Sequence, residues 1–302
     1  MTLAASLALL SALGFAFSTS LQHRAAGDVP VGVSNPALVL WRLLHHPRWL
    51  LGSTVGLTAW LLHATALHYG TLSLVQPIIL LGVVLAVVVR AAMDRTVPAR
   101  HEIVGVVVTV VSLIVIVSVA DTDQVDSTPR AGLVAGVVLA AWVVAGLATA
   151  SVNRLPRRGL AAFSLGMTSG LLFGVSAVLM KLAGNAVADH GPIGALATWS
   201  PWLLLVTAFC AMSLNQRAYQ LSRLAHSMPV LNVTSVLVSI LLGAMLFGET
   251  LPDHPATLTL QACGLVGIAW GLWRIATSEN RFPVELERVG VRRRGGFRAG
   301  GR

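Results

Sequence analysis

The sequence predicts an all-α, polytopic membrane bundle of about nine spanning helices, arranged as two repeats of opposite orientation. Three observations predict it: too little charge for a water-facing surface, nine apolar stretches of spanning length, and basic residues confined to alternate loops. The 302 residues are 55% hydrophobic and 11% charged, with a mean hydropathy of +0.78. Soluble domains carry about 25% charged residues, so this chain cannot solvate itself all round, and lipid must cover most of it. A net charge of +9 raises the question of a nucleic-acid partner. Placement excludes one, because eight of the 21 basic residues lie from Arg274 onward and most of the rest sit in short loops.

About 20 apolar residues at 1.5 Å each cross a hydrocarbon core of about 30 Å. Leu3–Leu21 is the first such stretch. No basic residue precedes it, and its length suits a span better than the short core of a signal peptide. The others are Trp49–Tyr69, Leu72–Val89, Ile103–Ala120, Ala131–Val152, Leu160–Ala183, Leu196–Gln216, Leu224–Phe247 and Ala256–Trp273. Open strands cannot replace them, since unpaired backbone groups are too costly in lipid. Val29–His46 is broken by Pro30, Gly32 and Pro36 and ends in the amphipathic Ala37–His46. It reads as an interfacial helix, with a half-inserted tenth segment as the alternative. Gly52/Gly56, Gly132/Gly136, Gly166/Gly170/Gly174 and Gly267/Gly271 give the small-residue spacing that lets helix backbones approach in a bundle. Cys210 and Cys263 fall inside apolar runs and read as packing residues.

The loops test the count. Arg24, Arg42 and Arg48; Arg90, Arg95 and Arg100; Arg154, Arg157 and Arg158; and Arg217 and Arg223 occupy the odd loops. With the tail they make nineteen of the 21 basic residues, leaving only Arg130 and Lys181 elsewhere. The positive-inside rule then puts the odd loops and the C-terminus in the cytoplasm and the N-terminus outside, in a cell inner (plasma) membrane. The tail, with Arg292-Arg293-Arg294 among glycines, reads as disordered. It serves as a topology determinant or touches anionic lipid headgroups.

An offset of 152 relates two blocks, Ala66–Pro77 and Ala218–Pro229, with identities at Ala66/Ala218, Leu72/Leu224 and Pro77/Pro229. Each block ends one span, turns at once and opens another with a proline near its start. The first turn is outside and the second cytoplasmic, so the halves form an inverted-topology repeat, an architecture that places substrate sites near the midplane. The first half spans 1–122 and the second 131–276, with 277–302 as the basic tail.

At these residues the chain resembles the drug/metabolite transporter (EamA-like) superfamily. That pattern is a short turn, a proline early in the fourth helix of each half, and a Gly-Glu pair ending it. The second half matches with Pro229 and Gly248-Glu249, while the first departs, reading Met93-Asp94-Arg95 at the corresponding place. Leu72–Gly82 is also similar to the magnesium-transporter-like branch, which has nine spans, having lost the second helix of the usual ten. The resemblance implies a carrier.

All twelve acidic residues fall in loops, tails or helix ends. Mid-membrane carboxylates are the usual proton relays and cation ligands, so their absence argues against a magnesium carrier and for a neutral, zwitterionic or anionic substrate. The candidate lining residues are polar. His63 aligns with Asn215, and His68 with Gln220, at the same offset; Gln76 stands beside Pro77, and Asn232 follows Pro229. Each proline frees a carbonyl that a polar side chain or a substrate could satisfy; interhelical hydrogen bonding is the plainer reading of all these residues. Lys181, the one lysine, reads as snorkelling toward the outer face or as meeting an anionic group. No nucleophile elbow, paired intramembrane aspartates or His-Glu-x-x-His is present, so no enzyme, metal or cofactor is expected. A secondary transporter or exporter of a small metabolite or amphiphile leads, with a lipid-linked precursor flippase and a non-transporting scaffold as alternatives. A homodimer is left open.

Overall fold

The computed structural model describes residues 2–27, 45–120, 129–155, 158–221, 224–249 and 254–279. Among them are nine long helices: α1 (Thr2–Gly27), α2 (Pro47–Tyr69), α3 (Leu72–Asp94), α4 (Arg100–Ser118), α5 (Ala131–Ser151), α6 (Arg158–Ala195), α7 (Ser200–Leu221), α8 (Leu224–Phe247) and α9 (Pro255–Glu279). A 3-10 turn, Val152–Arg154, follows α5. Eight of the nine are long and apolar enough to cross a membrane, and α7 carries Asn215, Gln216 and Arg217 in its second half, which lowers its hydropathy. Large apolar side chains face outward, among them Leu61 at 53%, Ile114 at 62% and Phe209 at 74% exposure. Such a surface is stable only in lipid, so the chain is a multi-pass helical membrane protein.

Several helices outrun the apolar stretches that announced them, while α7 begins only at Ser200, because 196–199 turn the chain instead of opening the expected span at Leu196. α1 continues to Gly27 and α3 to Asp94. α6 runs well past Ala183 to Ala195, broken only where Gly191 takes φ 72° before Pro192. Residues 277–279, read as the start of the tail, prolong α9. The rest of the tail and the expected interfacial segment up to residue 44 lie outside the described residues.

The ends are capped by their own chemistry. The Thr71 hydroxyl accepts from the Leu74 N–H at 3.3 Å, opening α3. Arg95 closes it in the left-handed region (φ 52°), with the Thr96 N–H donating to the Ala91 carbonyl at 3.0 Å, a common helix stop. The Glu102 carboxylate reaches back to the Ala99 N–H at 2.9 Å, opening α4, and lies 3.6 Å from Arg90.

The packing repeats. α1 lies against α2 and α3, and α6 lies against α7 and α8 in the same way; α4 packs on α9, and α5 rides on the outside of α6. α3 and α8 begin at Leu72 and Leu224, 152 apart. Ala4 meets Gly70 and Ala12 meets Gly82, so α1 and α3 run parallel; Gly166 meets Ser227 and Gly174 meets Val238, so α6 and α8 do too. Across the halves the direction reverses. Gly105 lies beside Arg274 and Ile275, while Gly264 lies beside Ile116, which makes α4 and α9 antiparallel. The halves are therefore upside down relative to each other.

Most glycine pairs seat backbones as expected. A Cβ on Gly82 would lie 3.0 Å from the Ala12 carbonyl oxygen, and one on Gly166 would lie 2.9 Å from that of Ser227. Gly132 and Gly136 do not follow. Nothing comes within 4 Å of a Cβ at either position, because α5 turns that face away from the bundle.

Candidate functional site

Between the halves lies a cavity of about 420 Å³. α2 contributes Trp60 and His63, α3 contributes Gln76, α7 contributes Asn215, and α8 contributes Asn232 and Ser235. Its symmetry follows the repeat. His63/Asn215, Gln76/Met228, Ile79/Leu231, Leu80/Asn232 and Val83/Ser235 are each 152 apart, and both members of every pair line it. The cavity therefore sits on the pseudo-two-fold axis, with Phe15, Trp60 and Phe173 as aromatic walls.

Its polar groups differ in how far they are satisfied. The Gln76 amide lies 3.3 Å from His63 Nε2, a bond within the site, and Phe15 meets the His63 ring edge-on at 6.4 Å. Asn232 Nδ2 donates to the Met228 carbonyl on its own helix at 2.8 Å. Asn215, 9% exposed, has a buried Oδ1 with no hydrogen-bond partner among the described residues. Leaving a buried acceptor unpaired costs about 1–3 kcal/mol, and a bound molecule carrying a donor would recover it. Pro77 and Pro229 stand inside α3 and α8, next to the lining residues Gln76 and Met228. Each removes one helical N–H beside the cavity. Among the described residues no Asp, Glu, Lys or Arg lines it, and no three His, Cys, Asp or Glu side chains converge to hold a metal.

Four of the six candidate residues, His63, Gln76, Asn215 and Asn232, thus come together. The side chain of Gln220 lies outside the described set. Lys181 goes elsewhere. It is 7% exposed and does not snorkel: its ammonium donates to Glu249 Oε1 at 3.1 Å and to the Gly70 carbonyl at 3.0 Å, and lies 4.7 Å from the centre of the Phe247 ring. Its anionic partner is part of the protein. Glu249 is 5% exposed and also accepts from the Leu72 N–H at 2.8 Å, the Ser73 N–H at 3.2 Å and the Ser73 hydroxyl at 3.4 Å. The carboxylate at the end of α8 thus caps the positive end of α3 in the opposite half, where a helix dipole favours negative charge, and Lys181 of α6 neutralises it. At the other end of α3, Asp94 pairs with Arg24 of its own half, both part-exposed. The buried clasp between halves therefore occupies one end of the bundle. His68 lies at that same end, 2.7 Å from Asn185 Oδ1 of α6.

Sequence reasoning missed the clasp and the aromatic walls. The one lysine and the Gly-Glu pair after α8 were visible signals, but 68 residues separate the partners.

A second cavity, also of about 420 Å³, lies between α2, α6 and α7. Trp60, Met180 and Leu204 line both, so the two adjoin.

Fold and site together define a polytopic helical membrane protein whose inverted halves enclose an uncharged central cavity. The chain is 27% identical over 247 residues to a Corynebacterium glutamicum protein described as uncharacterised, a match covering 82% of this chain and 85% of that protein. No family profile matches the chain, and no solved structure does.

Proposed function

We propose that the chain is a secondary carrier in the cell's inner membrane, moving a small metabolite or amphiphile by alternating access between its inverted halves, in the manner of the drug/metabolite transporters it resembles. The observation that carries this reading is the cavity on the pseudo-axis, lined by five residue pairs 152 apart. Inverted repeats can exchange conformations about such an axis, exposing one site to either side in turn. A scaffold has no need of that cavity. With the N-terminus outside and the arginine-rich loops in the cytoplasm, the Lys181–Glu249 clasp closes the outer end. The adjoining cavity between α2, α6 and α7 favours a second reading, a flippase that admits an amphiphile from the side.

Flux into proteoliposomes, measured for a panel of metabolites and amphiphiles with and without a proton gradient, tests the proposal. Saturable flux lost in His63→Leu and Gln76→Leu is expected. Wild-type protein that moves nothing across a broad panel, or flux indifferent to both substitutions, refutes it. Gradient-independent flux dismisses proton coupling while leaving the carrier.

A further inference from the structure

The two adjoining cavities differ in chemistry as the two ends of one molecule would. The central one offers His63, Gln76 and Asn215, a side chain 9% exposed whose Oδ1 has no hydrogen-bond partner among the described residues. Among the described residues, neither cavity is lined by an Asp, Glu, Lys or Arg. Lys181 is nearby, but Glu249 already neutralises it. A charged headgroup entering here would lose its hydration without meeting a counter-charge, which disfavours it strongly. An uncharged group bearing a hydrogen-bond donor would instead satisfy Asn215.

The second cavity offers hydrocarbon. Thr65 already donates to the Leu61 carbonyl at 2.8 Å, and His68 is held by Asn185 at 2.7 Å. Leu61, Leu196 and Leu205 are 53–56% exposed on the lipid-facing surface, so this cavity joins the site to the bilayer interior through Trp60, Met180 and Leu204.

We infer that the substrate is an uncharged amphiphile, its hydrogen-bonding head held by His63, Gln76 and Asn215 and its hydrocarbon chain lying between α2, α6 and α7. This rests on the reading of the central cavity as the substrate site, and narrows the neutral, zwitterionic or anionic class open to sequence alone.

The test uses the full chain in nanodiscs with a twelve-carbon monoacylglycerol bearing a photoreactive diazirine at the chain end, dosed by bilayer mole fraction so that partitioning is common to every arm. Light-dependent labelling is expected on α2, α6 and α7, at Val187 or Ala188 among others. Excess unlabelled monododecanoylglycerol should suppress it at least fivefold, and dodecanoate and dodecyltrimethylammonium should not. Ala188→Trp, which fills the groove, and Asn215→Leu should each cut labelling at least fivefold. Asn215→Leu removes an unsatisfied buried acceptor, so the ligand-free Tm should hold or rise, which separates lost binding from lost folding. Equal competition by the charged amphiphiles, labelling indifferent to Asn215→Leu, or labelling spread over all lipid-facing helices overturns the inference. Specific labelling without flux in proteoliposomes supports it and sinks only the carrier; flux of short polar solutes without specific labelling does the reverse.

Discussion

Replacing Glu249 by glutamine tests the clasp most directly. The amide keeps an oxygen for the Leu72 N–H at 2.8 Å but removes the charge that faces Lys181 at 3.1 Å. With Lys181 only 7% exposed, its ammonium is left with uncharged acceptors, the amide oxygen and the Gly70 carbonyl, and with the Phe247 ring, while the new NH2 faces the Ser73 N–H that Oε2 had accepted from. Breaking a buried ion pair from one side costs about 3–5 kcal/mol, which for a chain of this size is roughly 6–20 °C in Tm. Lys181→Met should cost less, since the carboxylate retains two backbone N–H groups and the positive end of α3. The double variant Lys181→Met/Glu249→Gln leaves no charge stranded and should melt above Glu249→Gln alone. Thermal unfolding in detergent, followed by fluorescence-detected size exclusion, ranks the four proteins. Asp94→Asn is the control, its pair with Arg24 being part-exposed and so worth about 1 kcal/mol or less. A double variant that loses the sum of the two single losses, or a Glu249→Gln no worse than Asp94→Asn, refutes the reasoning.

The glycines make a paired prediction. Gly166→Val must displace the Ser227 backbone, at 2.9 Å from the first added carbon, and should cost about 1–3 kcal/mol as overpacking. Gly136→Ala meets nothing within 4 Å and should be neutral or stabilising by up to about 1 kcal/mol; equal loss in both by thermal melting would contradict the packing described. For orientation, single cysteines at Val97 and Ile193, 87% and 86% exposed, should react from the cytoplasm and the outside respectively once Cys210 and Cys263 are replaced. Labelling of both from one compartment overturns the layout.

What was legible in the sequence is what hydrophobicity and periodicity encode. Nine apolar runs gave nine helices, and one repeated Ala/Leu/Pro block gave the offset that relates the halves. The pairing of His63 with Asn215 followed because a shared fold puts equivalent positions at equivalent depths. Helix length was less legible. Asn185, Asp189 and His190 look like a loop in sequence, yet α6 continues through them, since the edge of the apolar core marks where lipid ends and not where backbone hydrogen bonding ends. The Lys181–Glu249 clasp was hidden for another reason. Each residue alone looks surface-bound, and only contact between α6, the end of α8 and the start of α3 makes their burial affordable. The side on which Gly132 and Gly136 would lie was equally hidden, because residue spacing defines a flat face without naming a neighbour.

The antiparallel crossing of α4 and α9 has a mechanical consequence. Gly105, Gly267 and Gly271 bring the two backbones together along it, with Ser112 and Thr109 filling the remaining space. A seam packed this closely at its glycines resists sliding, so a rocking of one half on the other would use it as a fulcrum, with the largest excursions at the rim farthest from it.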